Sequence, residues 1–264
     1  MLEEGVRYEA LSVAMGARVR PLSEFVQSNP GKTPDVVLTV AGFLIGSVLG
    51  LTSLLDWLNP VSWLTWGLSK LFFREQNESN ATKTEIYVDE ASFFDRQYDY
   101  DFTRVSDNKP YWRGDEEYKR PCGWTRIALK VLDKYGDNIW LGPNGIRTES
   151  IAGEWPVSYH GTSEDGAKGI IQSNYRAGDR QLYGRGIYST PDLDQASGYA
   201  REFVSKTNKK KYRIVLQNRI NPTYRQICKR VDYWLVPVQD GTSVADERTC
   251  GALHPALWDS AQGG

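Results

Sequence analysis

From Trp124 onward the chain alternates apolar and polar residues with the period of a half-buried strand. In residues 125–132 (TRIALKVL), Ile127, Leu129 and Val131 fall on one face, against Arg126, Ala128 and Lys130 on the other. Residues 154–160 (EWPVSYH) predict a second strand, with Pro156 near its start, where a missing N–H is tolerated. Ser163 is placed to cap a helix whose first turn holds Glu164 and Asp165, with Ala167, Ile170 and Ile171 on its inner face. Residues 186–190 (GIYST) read as a strand. Asp192 then caps a helix with Ala196, Tyr199, Ala200 and Phe203 on one face. Two more strands follow, at 211–217 (KYRIVLQ) and 232–238 (DYWLVPV). Strands outnumber the short helices, so the class is α+β.

The first half is patterned differently. Residues 1–35 are mixed and polar, and the stretch from Val36 to Leu55 then has no charged residue. Twenty helical residues span about 30 Å, the thickness of a bilayer core. Gly42, Gly46 and Gly50 share one helix face, and Trp57, Trp63 and Trp66 follow where an interfacial belt would lie. Residues 36–73 therefore read as a membrane-associated helix or helical hairpin, a single span or a re-entrant turn at Asn59-Pro60. A buried hairpin in a soluble core is the competing reading. Flanking Lys and Arg residues leave the sidedness open, and the sequons at Asn77 and Asn80 matter only for an outward C-terminal domain. The resulting organisation is a polar segment (1–35), the hydrophobic segment (36–73), a linker into the domain (74–117), a domain over 118–250, and a tail (251–264).

Composition narrows the chemistry. The net charge of −1 over 264 residues argues against a global field for nucleic acid. Cys122, Cys228 and Cys250, with His160 and His254, show no metal-ligand spacing, so no metal site is expected. Charge is nonetheless segregated. Ten acids and four bases lie between Glu85 and Glu117, whereas nine Lys or Arg and no acid lie between Phe203 and Val231. Either the two stretches face each other, or the basic one rims a site for an anion.

Candidate chemistry gathers around two tyrosines. Tyr188 ends a strand, and the helix after Pro191 doubles back to bring Tyr199 near it, so that two rings could wall a slot for a flat heterocycle. Gly184 and Gly186 permit close backbone approach before the first ring. "GRGIYS" lacks a third glycine and opens a strand, which excludes a dinucleotide-binding Rossmann turn. His160 ends its strand beside Gly161, where an imidazole and open backbone suit a sugar hydroxyl and an amide. Asp232 opens a late strand and can offer a carboxylate. Core packing is the bland alternative for each tyrosine and for His160, and a surface acid is the alternative for Asp232.

Taken in order, "YHGT", "YGRGIYSTP", "ASGYA" and "DYWLV" resemble the catalytic core of the poly(ADP-ribose) polymerase-like, diphtheria-toxin-like ADP-ribosyltransferases. The resemblance covers Trp124 to Val238. It implies a split, mostly antiparallel sheet gripping NAD⁺, used as a substrate without a metal. In that scheme His160 holds a ribose hydroxyl, the Gly161 backbone meets the nicotinamide amide, Thr162 belongs to the cofactor-binding set, and Tyr188 and Tyr199 flank the ring. Asp232 stands by the nicotinamide ribose, so that His160, Tyr188 and Asp232 form the catalytic set. Two departures stand out. Ala196 occupies a binding position where the family often has serine, and Ser197 points about 100° away. Asp232 replaces the glutamate of polymerising members, which favours transfer of a single ADP-ribose to a protein or nucleic-acid acceptor. A register using Asp240 fits worse, because Asp240-Gly241 reads as a turn. The alternatives are a catalytically silent NAD- or ADP-ribose-binding module, and an RNA 2′-phosphotransferase-like enzyme using the basic stretch.

Overall fold

The computed structural model describes residues 2–34, 37–38, 85–133, 137–142, 147–161, 183, 186–200, 202–229 and 232–237, together with the backbone of 254–259. The chain is α+β, built from small, mostly antiparallel sheets and a few short helices. The largest sheet runs β4 (Tyr100–Asp101), β7 (Trp124–Arg126), β14 (His254–Asp259), β11 (Lys211–Arg219), all antiparallel. The other edge of β11 is shared by β10 (Glu202–Val204) and β8 (Val157–Gly161). A second antiparallel sheet pairs β12 (Gln226–Ile227) with β13 (Trp234–Pro237), and β13 with β9 (Gly186–Ser189). The two sheets are stitched by a bridge in which Tyr159 and Thr190 exchange both backbone hydrogen bonds, at 2.7 and 2.9 Å.

The strands expected at 154–160, 186–190, 211–217 and 232–238 are thus present, over 157–161, 186–189, 211–219 and 234–237. The strand expected over 125–132 stops at Arg126. Beyond it, Ile127, Ala128 and Leu129 are buried in succession, not alternately. The cause is local capture of the backbone. The Ala128 N–H is taken by the Asp99 carboxylate, its carbonyl by Asp95, and the Lys130 N–H by the Phe93 carbonyl. The helix expected to reach Phe203 also ends early, at Gly198, and Phe203 lies in β10. The helix expected after Ser163 lies outside the described residues.

The polar N-terminal stretch carries more structure than its composition predicts. Helix α1 (Glu4–Met15) buries Val6, Tyr8, Ala10, Leu11, Ala14 and Met15, and ends on Gly16, whose φ of 59° and N–H close the last turn. Strand β1 (Arg18–Pro21) pairs in parallel with β3 (Glu85–Val88), which also takes β2 (Val37–Leu38). Helix α2 (Leu22–Ser28) follows β1, and its Phe25 ring meets Tyr87 at 4.8 Å. Helix α1 and strands β1 and β3 share one core with Phe93, Leu129, Ile214 and Leu216. Arg7, only 4 % exposed, pairs with Asp99 at 2.6 Å and so ties α1 to the backbone that follows β7. The tail expected after residue 250 likewise supplies β14, an interior strand of the main sheet.

Val37 and Leu38, near the start of the apolar run, are strand residues and not helical. Among the described residues no helix is long and apolar enough to cross a membrane. The rest of the 36–73 segment lies outside the described residues, as do the sequons at Asn77 and Asn80. Of the two oppositely charged stretches, Arg225 meets Glu116 at 2.6 Å while its guanidinium lies 4.2 Å over the Trp234 ring. Lys211 and Arg213 turn instead to Glu202.

Candidate functional site

The residues singled out along the sequence come from four elements packed around the junction of the two sheets. His160 sits one residue before the end of β8. Its Nδ1 lies 2.7 Å from the Tyr188 carbonyl oxygen. A carbonyl only accepts, so Nδ1 carries the proton and the neutral ring presents Nε2 as an acceptor. Burial pushes the imidazole pKa below its ordinary value, outweighing the Tyr188 carbonyl, which acts the other way.

That shift predicts a pH dependence of stability. The unfolded chain takes up a proton on His160 near the ordinary value of 6.5, whereas the folded chain does so only at lower pH. Between the two values the unfolded state binds more protons, so stability is lost as pH falls below 6.5 toward the lowered pKa. Urea unfolding midpoints measured from neutral to mildly acidic pH should therefore decline, and His160→Gln should flatten that part of the profile. An unchanged slope in the variant would assign the decline to other groups.

Helix α4 (Leu193–Gly198) follows Asp192, which caps it by accepting from the N–H groups of Asp194 and Gln195. Asp192 also pairs with Lys119 at 2.7 Å. The helix lies against β8 so closely that a Cβ on Gly161 would stand 1.7 Å from the Ala196 carbonyl oxygen. The bare backbone at Gly161 is thus required by helix packing, where the sequence suggested only room for a ligand. Gly186 is similar, with the Val236 carbonyl 2.3 Å from where its Cβ would be. Ala196 is 1 % exposed and packs with Tyr159, Leu193 and Val215. Its side chain belongs to the core and not to an open wall.

Asp232 lies just before β13. Its Oδ2 accepts a 3.0 Å hydrogen bond from Gln195 Nε2, and Gln195 Oε1 accepts from Thr190 Oγ1 at 2.8 Å. Through Thr190, which bridges to Tyr159, the carboxylate is fixed relative to the strand that carries His160. No protein-family model matches the chain, and no curated protein matches it. Its site therefore has to be read from its own geometry.

The aromatic part of that geometry is a chain of four tyrosines. Tyr188 accepts at its hydroxyl from the Tyr183 N–H at 3.0 Å. The Tyr183 ring lies 6.4 Å from that of Tyr233, and the Tyr233 and Tyr199 hydroxyls are 2.8 Å apart. Tyr199, the residue closing α4, is 58 % exposed. The two predicted tyrosines are linked through Tyr183 and Tyr233. Thr162, Gly184 and Asp240 lie outside the described residues. Among the described residues no group of His, Cys, Asp or Glu could hold a metal.

Gln195 and Tyr233 were not singled out from the sequence. Asp192 and Gln195 stand three apart at the start of a helix, the spacing of a capping box, in which a glutamine folds back onto the cap. That signal points Gln195 at its own helix. The structure turns it to Asp232, a partner 37 residues away.

Proposed function

We propose that this chain transfers a single ADP-ribose from NAD⁺ to a protein or nucleic-acid acceptor, releasing nicotinamide. The observation that carries the reading is the hydrogen bond from the His160 ring, as its Nδ1–H tautomer, to the Tyr188 carbonyl, with the Asp232 carboxylate tied to the same junction through Gln195 and Thr190. The four motifs that resemble the ADP-ribosyltransferases fall on the elements so joined.

The chemistry follows from those groups. Nε2 of His160 accepts from a ribose hydroxyl, and the Tyr188 and Tyr199 rings flank the nicotinamide. The bond between the ribose anomeric carbon and the ring nitrogen breaks with its electron pair going to nitrogen, which neutralises the pyridinium. Positive charge then develops on the ribose as an oxocarbenium-like centre, and a carboxylate nearby lowers that barrier. An acceptor nucleophile forms the new bond to the anomeric carbon and loses its proton to solvent. Asp232 is one methylene shorter than glutamate, and Gln195 keeps it from rotating away.

A silent NAD-binding module is the second reading, favoured by the same hydrogen bond, which occupies one Asp232 oxygen, and by the burial of Ala196. Nicotinamide release from labelled NAD⁺ by the full chain separates the two. Turnover is expected, with losses of about 100-fold or more in Tyr188→Ala and Asp232→Ala. Gln195→Ala should lose about 10-fold, the size seen when a supporting hydrogen bond is removed. Binding without release in the native chain would select the silent module. Undiminished release in Asp232→Ala would remove that residue from the mechanism.

A further inference from the structure

A cavity of about 150 Å³ lies away from this site, lined by Arg113, Arg126, Arg147, Arg219, Gln217 and Asp95 among others. It sits on the opposite face of the sheet from the imidazole. His160 pairs with Leu216, whereas Tyr159 pairs with Gln217, and successive residues of a strand face opposite sides. The cavity owes nothing to the reading of the His160 site.

Its charge does not balance. Glu154, with no exposed side-chain surface, receives Arg113 at 3.3 Å, Arg219 at 3.0 Å and Arg147, all on the single oxygen Oε1. Its other oxygen is taken by the Ile151 N–H. Arg126 is held by the Tyr98 carbonyl and the face of Phe102, with no carboxylate partner among the described residues. Among the described residues four guanidiniums therefore meet two carboxylates, Glu154 and Asp95, and leave an excess of two positive charges. Burial lowers the Arg113 pKa and brings that of Arg219 down to about 10, although Glu154 acts the other way on both.

Donors are also left over. Nε and Nη1 of Arg147 and Nε of Arg126 are buried without a hydrogen-bond partner. The acceptor Oε1 of Gln217, a residue only 5 % exposed, is left without one as well. Unpaired buried guanidinium N–H groups are costly, and they are rarely left so unless something fills the gap. Forks converging from several directions, with two charges in excess, match a tetrahedral dianion better than a planar carboxylate.

We propose that this cavity binds a phosphoryl group, as inorganic phosphate or as the head of a phosphomonoester. The volume admits one such group. Arg147, with two unused donors, is its principal ligand, and Arg126 completes the cradle.

The test is thermal unfolding of the full chain in inorganic phosphate, in phosphoserine, and in chloride at equal ionic strength. Phosphate should raise Tm over chloride by on the order of 5 °C at a concentration about 100-fold above Kd. Arg147→Gln should abolish that rise, and Arg147→Lys, which keeps the charge but loses the fork, should retain part of it. An equal rise with phosphoserine identifies a monoester head; a rise with inorganic phosphate alone identifies the free ion. Phosphorus NMR of inorganic phosphate with the native chain guards against a variant that fails to fold, since the line should broaden on binding. No rise over chloride, no broadening, or a full rise in a folded Arg147→Gln would each overturn the site.

Discussion

Replacing Gly161 by alanine should cost about 1–3 kcal/mol of stability, the range for forcing a methyl group into a packed interior. Here the obstacle is backbone. The new Cβ would stand 1.7 Å from the Ala196 carbonyl oxygen, 2.8 Å from its carbon and 3.1 Å from the Ala200 nitrogen. No rotamer change relieves such a contact, so α4 must move. The helix carries Gln195, which holds Asp232, and ends at Tyr199, which meets Tyr233. A displacement of about 1 Å in positioning groups can cost about 100-fold in rate, so nicotinamide release should fall by that order as well. The two arms are separable. Urea unfolding reports the packing, whatever the chain does with NAD⁺. A variant within about 0.5 kcal/mol of the native chain, the ordinary scatter of surface substitutions, would mean that α4 is not seated on β8 as described.

That contact also marks where sequence reading reaches and where it stops. Strands β8, β9, β11 and β13 were legible because each is a short run rich in aromatic and β-branched residues, and the start of α4 was legible because Asp192 is a strong cap. His160, Tyr188 and Asp232 stand out in the sequence because each is placed near the end of such a strand. The end of α4 was missed because Ala196, Tyr199, Ala200 and Phe203 keep a helical spacing that carries straight across Gly198. The chain instead leaves the helix there, and Phe203 joins β10, a pairing with β11 that no local pattern announces.

Long-range partners account for the other differences. Helix α1 looked polar because Arg7, a charged residue, belongs to its buried face and is balanced by Asp99, 92 positions away. Strand β14 carries Pro255 and lies at the end of the chain, so nothing nearby marks it as the neighbour of β11. Gln195 gave a signal, but for a cap. In each case a residue's role is set by a group far along the chain, and spacing between near neighbours is blind to it.

The arginine cluster is the extreme instance, and it supports the second large effect. Glu154→Gln should destabilise the protein by about 3–5 kcal/mol, the usual penalty for removing one partner of a buried ion pair. The substitution is nearly isosteric, so no cavity contributes, and what is lost is the carboxylate charge that three guanidiniums share. The neutral amide oxygen can still accept a hydrogen bond from one of them, but its NH₂ group would face the others as a competing donor. Relaxation is limited on one side. Gly142, at φ +66°, brings its backbone so near that a Cβ there would stand 2.7 Å from Arg147 Nη2 and 2.8 Å from Glu154 Oε1. Arg219 is pinned on the other side by the carbonyls of Trp155 and Leu141. The arginines therefore cannot all swing into water, and the variant carries their repulsion into the folded state. Urea unfolding of Glu154→Gln measures the loss, and repeating it in phosphate tests its cause. A dianion in the adjoining cavity should restore more stability to the variant than to the native chain, because it supplies the charge that the variant lacks. A loss below about 1 kcal/mol, the typical worth of an exposed pair, would show that these guanidiniums are adequately solvated. The excess charge that makes the cavity a phosphoryl site would then have no force.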